Sequence, residues 1–156
     1  MTRKPDSSAS RLSRNSFVAT IAVVLSLFGN VAMGEADGWL PNLAAVDQIA
    51  SEISQNLAEG SVDAAFGMLT FYAHTDDKNV INNLVEARKT IPRMFANTDS
   101  KWVLKQIESV RFLSSFYRIR YDVIDTDRIV RIMYTFRKKT RGWKVNQIVA
   151  STYSAR

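Results

Sequence analysis

Residues 115–124 and 129–138 alternate apolar and polar side chains almost without a break. In the first run Tyr117, Ile119, Tyr121 and Val123 share one face, against Phe116, Arg118, Arg120 and Asp122. In the second, Val130, Ile132, Tyr134 and Phe136 oppose Arg131, Met133, Thr135 and Arg137. A period of two built from β-branched and aromatic residues is the pattern of a strand buried on one side only. Turn-forming residues bound both runs, Asp-Thr-Asp at 125–127 and Thr-Arg-Gly at 140–142. Residues 102–113 and 143–153 supply a strand before them and a strand after. Short connections make the four an antiparallel meander with one wet face, and its other face needs a cover.

The cover lies in the first half of the chain. Leu43, Val46, Ile49 or Ala50, Ile53 and Leu57 recur at steps of three and four, which puts them on one helical stripe. Asp47, Glu52, Gln55 and Glu59 face the other way. Asn42 is placed to cap this helix and Gly60 to end it. Ser61 is placed to cap a second helix that buries Val62, Ala65, Phe66 and Leu69. A third is expected from Asp76 or Asp77, with Ile81, Leu84, Val85 and Arg88 in phase and Pro92 as its break. Residues 97–100 read as a loop. The fold class is therefore α+β, with three N-terminal helices packed on a four-stranded antiparallel sheet.

Ahead of this domain stands a leader. Arg3, Lys4, Arg11 and Arg14 precede an apolar block at 17–28, and Ala32-Met33-Gly34 offers small residues before Glu35. Basic start, short apolar middle and small-x-small end make a secretory signal peptide over residues 1–34. Residues 35–41 read as a tether and 42–156 as the domain. An uncleaved anchor facing the periplasm and an organelle presequence are the competing readings. No cysteine follows the apolar block, which excludes a lipid-anchored bacterial lipoprotein, and the arginines are not adjacent, which argues against a twin-arginine signal. The expected location is periplasmic or secreted.

With no cysteine and one histidine, thiol chemistry, zinc–thiolate sites and histidine-rich metal centres are excluded. No metal and no cofactor is expected. Charge is sharply divided: residues 35–87 hold nine acids and one base, residues 88–156 sixteen bases and five acids. Such asymmetry bears on association rather than on fold.

The helix–Gly–helix stretch at 56–69 (NLAEGSVDAAFGML) and the final hairpin at 134–152 (YTFRKKTRGWKVNQIVAST) resemble the nuclear transport factor 2-like superfamily, the cystatin-like α+β cone. The similarity covers most of residues 42–153 and rests on pattern rather than on a unique motif. It implies a curved sheet closing an apolar cone. That superfamily includes isomerases, dehydratases, secretion-system assembly domains and binding modules, so the fold does not fix the function. Cystatin inhibitors carry a Gln-x-Val-x-Gly loop; residues 147–151 read Gln-Ile-Val-Ala-Ser, lack the glycine and fall inside a strand.

An enzyme similar to ketosteroid isomerase needs a carboxylate inside the cone. The core phase of the strands offers Tyr117, Tyr121 and Tyr134 but no acid, and tyrosines on such a face are mostly packing residues. His74 with Asp76 and Asp77 is the one acid–imidazole cluster, and an Asp there equally suits a helix cap. Tyr117, Tyr121, Tyr134, His74 and Asp76 are thus weak catalytic candidates, and a non-enzymatic domain is favoured over an enzyme. The wet face of the sheet is richer: Arg111, Arg118, Arg120, Arg131, Arg137 and Lys144 are expected on it, with Phe116 and Met133 between them. Forked arginine donors suit carboxylate or phosphate. The expectation is a non-enzymatic binding domain of the bacterial cell envelope. It would hold an acidic protein or anionic envelope component on this face, or a small ligand in the cone. Nucleic acid is not an expected partner in that compartment, and the sheet also offers a homodimer interface. The competing readings are a membrane-anchored envelope or secretion-system assembly module and a small isomerase or lyase.

Overall fold

In the computed structural model residues 38–96 and 102–154 are described. The stretch read as a signal peptide with its expected cut site, residues 35–37 and residues 97–101 lie outside the described residues. Three helices, α1 (Leu43–Ala58), α2 (Val62–Phe71) and α3 (Lys78–Met94), precede four strands, β1 (Val103–Phe112), β2 (Phe116–Ile124), β3 (Arg128–Lys139) and β4 (Gly142–Ser154). The strands form one antiparallel sheet in the order β1-β2-β3-β4, and the helices pack on one side of it.

Helix α1 buries Val46, Ala50, Ile53 and Leu57, the stripe its periodicity sets. Asn42 caps it by accepting a bond from the Ala45 amide at 2.9 Å, and Gly60, at φ 79°, ends it. Helix α2 buries Ala65, Phe66 and Leu69, but Ser61 occupies its N-cap position without a side-chain cap bond. Asp77 caps α3 through the Asn79 amide at 2.9 Å.

Two features of α3 differ from expectation. Its buried stripe is Val80, Leu84, Ala87 and Ile91, while Ile81 and Val85 are exposed, so the phase is one position earlier. Pro92 does not break the helix: it sits in the last turn, and the Phe95 amide bonds to its carbonyl at 3.1 Å. A proline this near the C-terminus forfeits one backbone bond, and the helix then stops within a turn.

The core side of the sheet is as the alternation predicts. Tyr117, Ile119, Tyr121 and Val123 pair across β2 and β3 with Phe136, Tyr134, Ile132 and Val130, and all eight are buried. Strand β1 changes phase at a bulge between Gln106 and Glu108. A bulge adds one residue to one strand and exchanges the faces beyond it.

The edge of β4 is clasped at three places. Leu40 and Trp143 exchange amide bonds of 3.0 and 2.8 Å. The Val145 amide donates to the Tyr72 carbonyl at 2.7 Å, and its carbonyl accepts from His74 at 3.1 Å. The Asn83 side chain does the work of a strand, donating to the Ile148 carbonyl at 2.9 Å and accepting from its amide at 2.8 Å. These contacts join the helical layer to the sheet and block further pairing along that stretch of edge. Leu40 lies in the stretch read as a tether, yet it is buried and belongs to the fold.

Candidate functional site

The side of the sheet away from the helices is built from rows fixed by strand register. One row runs Phe112, Phe116, Arg137, Lys144; the next Val110, Arg118, Thr135, Gln147. Then come Glu108, Arg120, Met133, Val149, followed by Lys105, Asp122, Arg131, Ser151. No described element covers this face.

Register decides which of its cations are neutralised. Arg131 grips Asp122 with two bonds, Nε to Oδ1 at 2.7 Å and Nη2 to Oδ2 at 2.8 Å. Asp122 is buried beneath that fork, although it points to the wet side. The pair holds the Arg131 guanidinium firmly charged, Asp122 raising its pKa above the usual arginine value. Arg120 meets Glu108 at 3.0 Å, while its buried Nε finds no partner. Arg118 and Arg137 have no carboxylate partner among the described residues. Instead they lie over the rings of Phe112 and Phe116 at 5.2 and 5.7 Å, and those two rings stack on each other 5.5 Å apart. Lys144 extends over Trp39 at 4.8 Å. An arginine held flat on an aromatic ring keeps its edge donors free for an anion.

Arg111 is not on this face. The β1 bulge pairs it with Tyr117 on the helix side, where it lies 6.0 Å over the Trp143 ring and bonds the Ser114 carbonyl at 3.0 Å. Of the six cations expected together, five share the wet face and two of those are paired.

The helix side carries the tyrosines. Tyr134 exposes no surface, so no water-sized space touches it, and its hydroxyl shares a 2.8 Å bond with Ser54. Its pKa is pushed up, by burial above all. Tyr117 donates to Asp47 Oδ1 at 2.8 Å, and Tyr121 lies 3.3 Å from the Asp47 carbonyl oxygen and 3.4 Å from Gln106. Burial raises the pKa of both. Asp47 is the polar residue that strand phase alone could not find. It comes from α1, where helical periodicity assigns it to the solvent side, yet it is half-buried, with the Tyr117 and Tyr121 hydroxyls of β2 against it.

His74 is 2% exposed and sits at the β4 edge, edge-on to Trp39 at 5.7 Å. Its Nδ1 is 3.7 Å from Asp76 and its Nε2 has no hydrogen-bond partner. Burial first, then the Lys139 ammonium, holds its pKa below the ordinary imidazole value, against weaker opposite pulls from the Arg137 carbonyl and Asp76. Asp76 itself is claimed by Lys139 at 3.3 Å. The imidazole is thus enclosed, while the Asp76 carboxylate beside it stays exposed. Asp77 is spent on its helix cap. Among the described residues no cluster of His, Asp and Glu could hold a metal ion, and no helix is long and apolar enough to cross a membrane.

A shallow groove of about 170 Å³ lies between α3 and β4, lined by Asn83, Ala87, Thr90, Ile91 and Ile148 among others. It holds no unpaired charge cluster. No family model matches the chain, and no curated protein matches it.

Proposed function

We propose that this is a non-catalytic binding domain that works outside the cytoplasm and engages an anionic envelope component through the wet face of its sheet. The observation that carries the reading is the Arg118–Arg137 pair: two guanidinium groups on adjacent strands, seated on a stacked Phe112–Phe116 platform, without carboxylate partners among the described residues. Water screens their mutual repulsion, but an anion that bridges them relieves it and gains charge-assisted bonds. The order of helices and strands supports the likeness to the nuclear transport factor 2-like superfamily, and the leader pattern supports export. The test is titration with soluble polyphosphate and with poly-glutamate. Wild type should bind, more weakly as salt rises, and Arg118→Glu with Arg137→Glu should lose that binding while Arg88→Glu, on the helical layer, keeps it. Equal binding by all three sinks the reading.

A small isomerase or lyase is the second reading, favoured by Asp47 beside Tyr117 and Tyr121. The hydroxyl groups there already face Asp47 and Gln106, and that of Tyr134 faces Ser54. This leaves no donor aimed at a substrate, which weighs against it.

A further inference from the structure

Singly exposed apolar side chains are ordinary on a protein surface. Leu113 is not ordinary in its setting. It is 76% exposed at the tip of the β1–β2 turn, and its backbone has φ 46°, a left-handed conformation that Gly or Asn adopts more readily. The turn gains nothing from a leucine there. Arg111 braces it through the Ser114 carbonyl at 3.0 Å, and the Lys138 amide donates to the Ser115 carbonyl at 2.7 Å. That second bond sets the turn against the base of the β3–β4 hairpin, so both turns occupy one end of the sheet.

The charge at this end is of a single sign. Residues 111–118 and 136–144 together hold seven bases and no acid. Asp76, bound to Lys139, reaches it from the helical layer. At the opposite end, residues 122–128 hold three acids and one base, and Lys105 and Arg131 stand beside Asp122, so that end is close to neutral. The sheet is therefore polarised along its strands, with an apolar tip at the positive pole.

We propose that this end of the sheet docks on an anionic lipid surface, the Leu113 side chain entering the headgroup boundary while Lys138, Lys144 and their neighbours lie against the lipid phosphates. The inference deepens the proposed function, naming the anionic partner as a bilayer, and it rests on that reading's assignment of an anionic ligand. A basic side chain close to an anionic membrane strengthens binding about fivefold, and the effect falls away within a Debye length. Charge polarity fixes the orientation, because the acidic 125–127 turn is turned away from the lipid.

The chain has no cysteine, so a single introduced thiol reports on its own site. Full-length Leu113→Cys and Asp127→Cys are each labelled with an environment-sensitive dye and mixed with phosphatidylcholine vesicles, with and without phosphatidylglycerol. Whatever residues 1–37 contribute is common to both. The expected result is a blue shift at position 113 on the anionic vesicles alone, and none at 127. Adding Lys138→Glu and Lys144→Glu should raise the lipid concentration needed by about thirtyfold or more. Leu113→Asn should weaken vesicle binding about tenfold, for the lost apolar contact, yet leave the fold as stable or more so. No shift at 113, an equal shift at 127, or an equal shift on neutral vesicles overturns the proposal. If those fail while Arg118→Glu with Arg137→Glu still abolishes polyphosphate binding, the bilayer is the wrong partner and the anion-binding face stands. If the polyphosphate binding fails too, both readings fall.

Discussion

Replacing Arg131 with Met should cost about 2–3 kcal/mol of folding stability. Two limits frame that figure. An exposed ion pair contributes up to about 1 kcal/mol, whereas removing one partner of a buried pair costs about 3–5 kcal/mol because a charge is stranded. The Arg131–Asp122 pair lies between them: the Asp122 side chain is 6% exposed and that of Arg131 32%. The carboxylate therefore depends on the two forked bonds for most of its solvation, while water reaches the guanidinium and softens the loss. Methionine keeps most of the arginine stem, so the apolar part of the side chain changes little. The lost contact of Arg131 with the Tyr153 ring at 5.0 Å adds a smaller increment. Urea denaturation followed by tryptophan fluorescence measures the change, which should appear in the midpoint with an unaltered slope. The companion variant Asp122→Leu with Arg131→Met removes the stranded charge and should recover most of the loss. A single-variant cost under about 0.5 kcal/mol, or a double variant as unstable as the single, would show that water already solvates Asp122 and that the pair is incidental.

Ile132→Ala, at a fully buried position on β3, should destabilise by about 2–5 kcal/mol; a negligible cost would place Ile132 on the other face. Gly38→Ala should cost about 2 kcal/mol or more and speed hydrogen exchange at the Leu40 and Trp143 amides, since Gly38 has φ 65° and a Cβ there would collide with the Phe71 carbonyl; unchanged exchange would mean that the clasp tolerates the shift. Stability should fall as pH drops below about 6.5, the unfolded imidazole value, because the unfolded chain then takes up a proton that buried His74, beside Lys139 and Lys144, resists. Above that pH the ring is neutral in both states and imposes no penalty, and His74→Gln should flatten the decline between pH 7 and pH 5.

The parts of the fold legible in the sequence are those where one period runs unbroken. Strands β2 and β3 keep strict alternation, so Tyr117 through Phe136 fall on the predicted side. The Asn42 cap and the α1 stripe are equally local. Strand β1 was legible as a strand but its faces were not, because one extra residue near Ile107 reverses them and leaves no mark in composition; Arg111 lies on the helix side for that reason. In α3 the apolar residues Ile81 and Val85 lie next to the true stripe, and the edge contact through Asn83 fixes the rotation instead. Asp47 could not be found by strand phase, because it enters the core rim from a helix.

The basic face shows the same limit at the level of charge. Counting arginines identifies the face, but their effect depends on what stands opposite each one, and cross-strand register is a long-range quantity. Register sets Glu108 against Arg120 and Asp122 against Arg131, which removes the two cations nearest the middle of the sheet. It sets Thr135 and Phe116 beside Arg118 and Arg137, which leaves those two charges available. Those two charges lie toward the end bearing both the Leu113 turn and the 139–142 turn, away from the centre of the sheet. An anion approaching this protein is steered to that end before any contact forms. Substitutions there should slow association most, whereas changes at Arg120 or Arg131 should be felt chiefly as lost stability.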